Sequence, residues 1–175
     1  MDGLVTEAAD DRARRARLVL TDCDGVLTDG GVYYSAEGEE LVRFCRQDGL
    51  GVERLRLAGI DTAVLTREHS PIVQRRMDKL GIRVFAGARD KVAELPAILK
   101  AYGRELAEVA YIGDDLNDLG VMRLIAPHGL LGAPADAQPP VARAVHVLCT
   151  RRGGHGAFRE FAEFVLKHQN ERGIP

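Results

Sequence analysis

The chain has 175 residues, with 24 lysines and arginines against 26 aspartates and glutamates, and 46% of it is apolar. That length suits one compact domain, which at this size buries about 70% of its unfolded surface without a disulfide or metal to staple it. A formal charge of −2, 5% aromatics and no tryptophan exclude a basic nucleic-acid surface and a base-stacking platform.

Residues 1–15 are charged and lack the apolar core of a signal peptide, so a flexible N-terminus is expected there, ahead of a single domain over 16–175. The first strand is expected at 16–21 (ARLVLT), an apolar run that ends in Asp22-Cys23-Asp24-Gly25. Continuous apolar runs mark strands covered on both faces. Similar runs follow at 61–66, 82–85 and 109–113, with a weaker one at 144–149. Helical patterns lie between and after them, at 51–57, 72–80, 91–102, 116–125 and 157–168. This alternation predicts an α/β domain with a doubly wound, Rossmann-like parallel sheet. One segment departs from it. Residues 31–44 (GVYYSAEGEELVRF) read as a β-hairpin turning at Ser35–Gly38, inserted directly after the first strand's acidic end. Residues 134–140 (PADAQPP) read as a surface loop. Cys23, Cys45 and Cys149 form no CxxC and are odd in number, which points to a reducing, cytoplasmic compartment. No stretch approaches the ~20 apolar residues of a membrane span.

Ligands of open α/β sheets bind outside the carboxyl ends of the strands. The expected strand ends carry Asp22 and Asp24, then Thr66 with Arg67 and Glu68, then Gly87 with Lys91 beyond it. The last brings Asp114 and Asp115, with Asn117 and Asp118 following. Carboxylates, a hydroxyl and a lysine on one rim suit phosphoryl transfer through a covalent aspartyl intermediate. Asp22 and Asp24 flank one residue and so face the same side. Asp22 and Asp114 offer hard oxygens for Mg²⁺. Thr66 and Lys91 offer a hydroxyl and an ammonium to phosphoryl oxygens, and Asp24 can serve as acid and base. Other readings fit less well. As a calcium loop, Asp22 would put Val26 at the fifth ligand position. No cysteine begins a Cys-x₅-Arg pattern, no P-loop is present, and the histidines lack metal-ligand spacing.

DCDGVLTDG at 22–30, Thr66, Lys91 and GDDLND at 113–118 resemble the four motifs of the haloacid dehalogenase (HAD) superfamily. The resemblance implies Asp22 as nucleophile and Asp24 as acid and base. Thr66, Lys91, Gly25 and Asn117 become phosphate binders, and Mg²⁺ is held by Asp22, Asp114 and the Asp24 carbonyl. The hairpin, QDGLG at 47–51 and RRGGHGAFREF at 151–161 resemble, more narrowly, the 3-deoxy-D-manno-octulosonate 8-phosphate (KDO 8-phosphate) phosphatase group. Its relatives act on 2-keto-3-deoxynononate (KDN) and N-acylneuraminate 9-phosphates, or form the carboxy-terminal domain of some cytidylyltransferases. This resemblance implies a capless homotetramer in which the hairpins assemble and neighbouring subunits, with the 151–175 tail, close each site.

Departures from that pattern bear on the substrate. Thr66 is followed by Arg67-Glu68 where the octulosonate enzymes usually read Gly-Arg, and Glu68 resembles the nonulosonate branch. So do the basic residues Arg75, Arg76 and Lys79, of which Arg76 and Lys79, with Glu68, are the expected substrate contacts. The usual Asn before RDG is absent from Phe44-Cys45-Arg46-Gln47-Asp48. The expected activity is a Mg²⁺-dependent phosphatase acting on a small 2-keto-3-deoxy sugar-acid phosphate. The competing reading is an oligomerisation or regulatory module related to the cytidylyltransferase domains.

Overall fold

A computed structural model of the protein describes residues 7–170. Helix α1 (Glu7–Arg15) leads into β1 (Leu18–Thr21), and an antiparallel ribbon of β2 (Thr28–Tyr34) and β3 (Glu40–Phe44) follows. Next come α2 (Arg46–Leu57), β4 (Asp61–Leu65), α3 (Pro71–Leu80), β5 (Arg83–Phe85) and α4 (Lys91–Tyr102). The rest comprises β6 (Val109–Ile112), α5 (Leu119–Ile125), β7 (Leu130–Ala133), α6 (Pro139–Ala142), β8 (Val147–Leu148) and α7 (Ala157–Asn170). The main sheet has the order β5-β4-β1-β6-β7-β8 and every neighbouring pair is parallel. The chain winds outward from β1 through β4 to β5, and α4 then returns it to the other side of β1 at β6. The switch in winding therefore falls at β1, which is where such sheets bind ligands.

Alternation within the strands divides the core. Val19, Val64, Ala110 and Ile112 face an apolar layer built by α1, α2, α3 and α7. Leu18, Leu20, Leu65, Val109 and Tyr111 face a second layer built by α4, α5 and α6. Both faces are covered, so the strands read as unbroken apolar runs. Two helices are fixed at their starts by side-chain caps. The Ser70 hydroxyl accepts from Val73 N with Pro71 at the first helical position of α3, and the Asp90 carboxylate accepts from Val92 N and Ala93 N at the start of α4.

The expectation of a flexible segment over 1–15 is corrected for residues 7–15, which form α1; residues 1–6 lie outside the described residues. Ala9, Ala13 and Ala16 are fully buried in the layer that holds α7. Small residues let the two helices approach closely, so the segment docks without the large apolar stripe that would reveal it in sequence. Arg12 anchors it by donating to the Ala126 and Gly129 carbonyls, each at 2.8 Å. Elsewhere β7 is an additional strand, α2 begins five residues before the expected position, and the 116–125 pattern divides into a 3₁₀ turn (Leu116–Asp118) and α5. Among the described residues, no helix is long and apolar enough to cross a membrane.

Candidate active site

The carboxyl ends of β1, β4 and β6 open into a cavity of about 360 Å³ lined by Asp22, Asp24, Gly25, Thr66, Glu68, Asp114 and Asn117, among others. Carboxylates dominate it, and among the described residues Arg67 is the one cation that lines it. Lys91 lies behind this surface. Its ammonium is buried, 2.8 Å from Asp22 Oδ2 and 2.6 Å from Asp118 Oδ1. The other oxygen of Asp22 accepts from Cys23 N at 2.7 Å. Asp22 is thus clamped at both oxygens on the cavity floor.

Burial pushes the Asp22 carboxyl up to about 7, the Asp118 carboxylate adds to that, and Lys91 and Cys23 N–H pull back. Burial opposes the charge on Lys91, but Asp22 and Asp118 outweigh it and hold the ammonium above its ordinary value. Asp24 is raised by burial, against a 3.4 Å hydrogen bond from Thr28 Oγ1. Thr66 is buried, and its oxygen accepts from Glu68 N at 3.3 Å, which leaves the hydroxyl proton to donate into the cavity.

Asp114 pairs closely with Gly25. At φ 80° Gly25 is in the left-handed region, and a β-carbon there would overlap Asp114 Oδ2. The Asp114 carboxyl is raised to about 8, first by burial and then by Asp22, Asp118 and Asp115, and its Oδ1 is buried without a hydrogen-bond partner. An orphaned hard oxygen facing another carboxylate fits a divalent cation. Oxygens of Asp22, Asp114 and Asp118 lie within 4.8 Å of one another. Asp118 is already committed, because Lys91 and Tyr111 donate to its Oδ1 at 2.6 Å each and the N–H groups of Asp114 and Asp115 donate to Oδ2. Asp22, with one donor at each oxygen, and Asp114, with an unpartnered Oδ1, therefore keep lone pairs that a metal could use. The Asp24 side chain is not part of this cluster.

Sequence reasoning missed the support around these groups. It left Asp118 without a role and passed over Tyr111, although the spacing of GDDLND on a strand-to-helix turn could have flagged Asp118. It also missed how the C-terminal segment packs. Residues 151–156 lie against the 25–29 loop of their own chain, where a β-carbon at Gly153 would overlap the Gly25 carbonyl and one at Gly154 would meet Asp29 N. Gly154 N donates to Val26 O, and Gly153 N to Asp136 Oδ1, at 2.9 Å each. Of the expected substrate contacts, Glu68 is exposed on the cavity rim. Arg76 and Lys79 are not lining residues of this chain's cavity. The Arg76 guanidinium lies 5.9 Å over the Phe44 ring, and Lys79 is exposed in the last turn of α3.

A parallel sheet switching at β1, an aspartate clamped by lysine at that switch and an acidic pair opposite define a hydrolase of the HAD superfamily. No family model matches the chain. It is 42% identical over 160 residues to the KDO 8-phosphate phosphatase of Haemophilus influenzae, a match covering 90% of this chain and 87% of that protein. The chain belongs to the KDO 8-phosphate phosphatase family. It also resembles the crystal structure of the Moraxella catarrhalis enzyme in complex with a magnesium ion, a phosphate ion and KDO. That resemblance has a TM-score of 0.88 and 35% identity, and covers 95% of this chain and 94% of the other. A further relative is the N-acylneuraminate cytidylyltransferase A of Danio rerio, 35% identical over 89% of this chain but only 36% of that protein.

Proposed function

We propose that this protein is a Mg²⁺-dependent phosphatase of the reducing cytoplasm that removes phosphate from a 2-keto-3-deoxy sugar acid through a phosphorylated Asp22. The observation that carries the reading is the clamp on Asp22, which fixes one oxygen with Lys91 and the other with Cys23 N at the floor of the cavity. Asp22 attacks phosphorus, and the ester oxygen leaves as an alcohol with the proton of Asp24. Water then attacks the same phosphorus and gives its proton to Asp24, which releases inorganic phosphate and regenerates Asp22. Thr66 and Lys91 donate to the phosphoryl oxygens as charge builds on them, with Gly25 and Asn117 lining the phosphate end of the cavity. Asp22 and Asp114, with the Asp24 carbonyl, would hold Mg²⁺, which when bound offsets repulsion between the nucleophile and a phosphate dianion.

The relatives favour KDO 8-phosphate. Glu68 on the rim, and the likeness to an N-acylneuraminate enzyme, keep KDN and N-acylneuraminate 9-phosphates as the competing substrates. A homotetramer completes the reading. A lone two-stranded ribbon is marginal in water, yet β2 and β3 expose Val32, Tyr33, Tyr34 and Leu41 at 49%, 60%, 70% and 66%. Packing ribbon against ribbon would bury them.

A kinetic panel with and without Mg²⁺ tests the proposal, using KDO 8-phosphate, both nonulosonate 9-phosphates and hexose phosphates on the wild type and Asp22→Asn. Turnover confined to the sugar-acid phosphates, and abolished in the variant, is expected. Turnover in Asp22→Asn would remove the covalent step. Preference for hexose phosphates would remove the substrate class, and no turnover at all would favour the assembly-module reading.

A further inference from the structure

Tyr111 lies in the middle of the sheet, on the fully buried face of β6 that packs against α4 and α5. Its surroundings are apolar, including Leu18, Leu20, Leu65 and Met122. A phenylalanine would fill almost the same volume. Burying a phenolic hydroxyl in such a layer is unfavourable unless it finds a partner, so the hydroxyl itself calls for an explanation.

Its partner is Asp118. The Tyr111 hydroxyl donates to Asp118 Oδ1 at 2.6 Å, and the same oxygen accepts from Lys91 Nζ at 2.6 Å. Oδ2 accepts from the N–H groups of Asp114 and Asp115 at 2.9 and 3.2 Å. Asp118 thus receives four donors, two at each oxygen. Lys91 has three N–H groups. One meets Asp118, one meets Asp22 Oδ2 at 2.8 Å, and the third faces only the Tyr111 oxygen at a long 3.4 Å. Two carboxylates share this ammonium, and the lysine must keep its contact with Asp22 to hold the nucleophile.

We infer that Tyr111 is a positioning residue for the phosphatase reaction: its hydroxyl takes part of the hydrogen-bonding capacity of Asp118 and so keeps Lys91 forward against Asp22. Without it, Oδ1 of Asp118 has one donor left and draws the ammonium back, away from the nucleophile and the incoming phosphoryl oxygens. The inference rests on the phosphatase reading but needs no knowledge of the natural substrate, because the groups involved act on the phosphoryl end.

Tyr111→Phe tests it, with p-nitrophenyl phosphate as substrate and saturating Mg²⁺. Met122→Leu serves as a control that perturbs the same apolar layer without touching a polar group. Tyr111→Phe is expected to lower kcat about tenfold while KM stays within twofold and the thermal transition remains cooperative. Met122→Leu is expected to keep kcat within twofold even where it lowers Tm. An unchanged kcat in Tyr111→Phe, a loss carried by KM, or an equal kcat loss in Met122→Leu would each overturn the inference. Because the wild type and Asp22→Asn report separately on the phosphatase reading, a neutral Tyr111→Phe beside an inactive Asp22→Asn rejects the inference alone.

Discussion

The Asp114 carboxylate rests directly over the α-carbon of Gly25, in the space a β-carbon would need. Gly25 also holds φ 80°, so a side chain there meets backbone strain and a displaced carboxylate together. Gly25→Ala should therefore push Asp114 off its position and weaken Mg²⁺ binding by roughly 10- to 100-fold, the range seen when the supports of a ligand are lost. Calorimetric titration of Mg²⁺ into both proteins checks this. Equal affinities would show that Asp114 does not hold the ion.

Lys91 separates two buried carboxylates and contacts both. Removing one partner of a buried ion pair leaves charge without compensation and costs about 3–5 kcal/mol. Lys91→Met should be destabilised by about 3 kcal/mol at pH 8 and less at pH 5.5, where Asp22 can take up a proton. Its kcat should fall about 100- to 1000-fold, the scale for one lost oxyanion donor. Urea unfolding at the two pH values gives the first quantity, and a pH-independent loss would contradict the assignment.

Metal and pH are linked through the same cluster. Asp22 and Asp114 rise from 3.8 in the unfolded chain to about 7 and about 8 in the fold. The folded state thus keeps protons that the unfolded chain has already released. Their contribution is fully present below 3.8 and is lost as pH rises through 7 to 8. Asp48, raised to about 6 mainly by burial, acts in the same direction lower in the window. With metal chelated, Tm should fall between pH 5.5 and 8, and added Mg²⁺ should raise it more at pH 8 than at pH 5.5. A flat or rising Tm in the chelated protein would refute the electrostatic account.

The exposed ribbon makes a separate claim. Replacing Leu41 by Lys and Tyr34 by Ser should break the proposed assembly, because both large side chains are exposed on the ribbon. Light scattering after size exclusion should report a smaller species. Turnover of the sugar-acid phosphate should fall more than that of p-nitrophenyl phosphate, since in the proposed assembly only the larger substrate would reach a neighbour's residues. A wild-type monomer would end this part of the reading.

The acidic rim at the strand ends was legible in the sequence because its polar residues follow apolar runs, and strands covered on both faces announce themselves as such runs. Asp22, Asp24, Thr66 and Asp114 come together around one cavity, as the strand-end reading expected. Elements that rely on small residues were not legible. Helix α1 docks through alanines, and β7 is four residues long with glycine before and within it. The early part of α2 contains Gly49 and Gly51, which look like breakers. At Gly51 the reason is steric, because a β-carbon would come within 3.2 Å of the Arg159 α-carbon in α7. The roles of Asp118 and Tyr111 depend on which buried groups meet across the sheet, and no spacing rule encodes that.

The packing of Gly153 and Gly154 against the loop that carries Asp24 gives the order of the chain a chemical meaning. Every residue of the four HAD-type motifs precedes β7, yet the loop that follows Asp24 is braced by a segment that comes after the last strand and leads into α7. A polypeptide ending before Arg151 would contain all four of those motifs with the brace of the Asp24 loop missing. The site's geometry thus depends on the closed circuit from β1 to α7, and scanning for motifs alone would credit fragments that lack it.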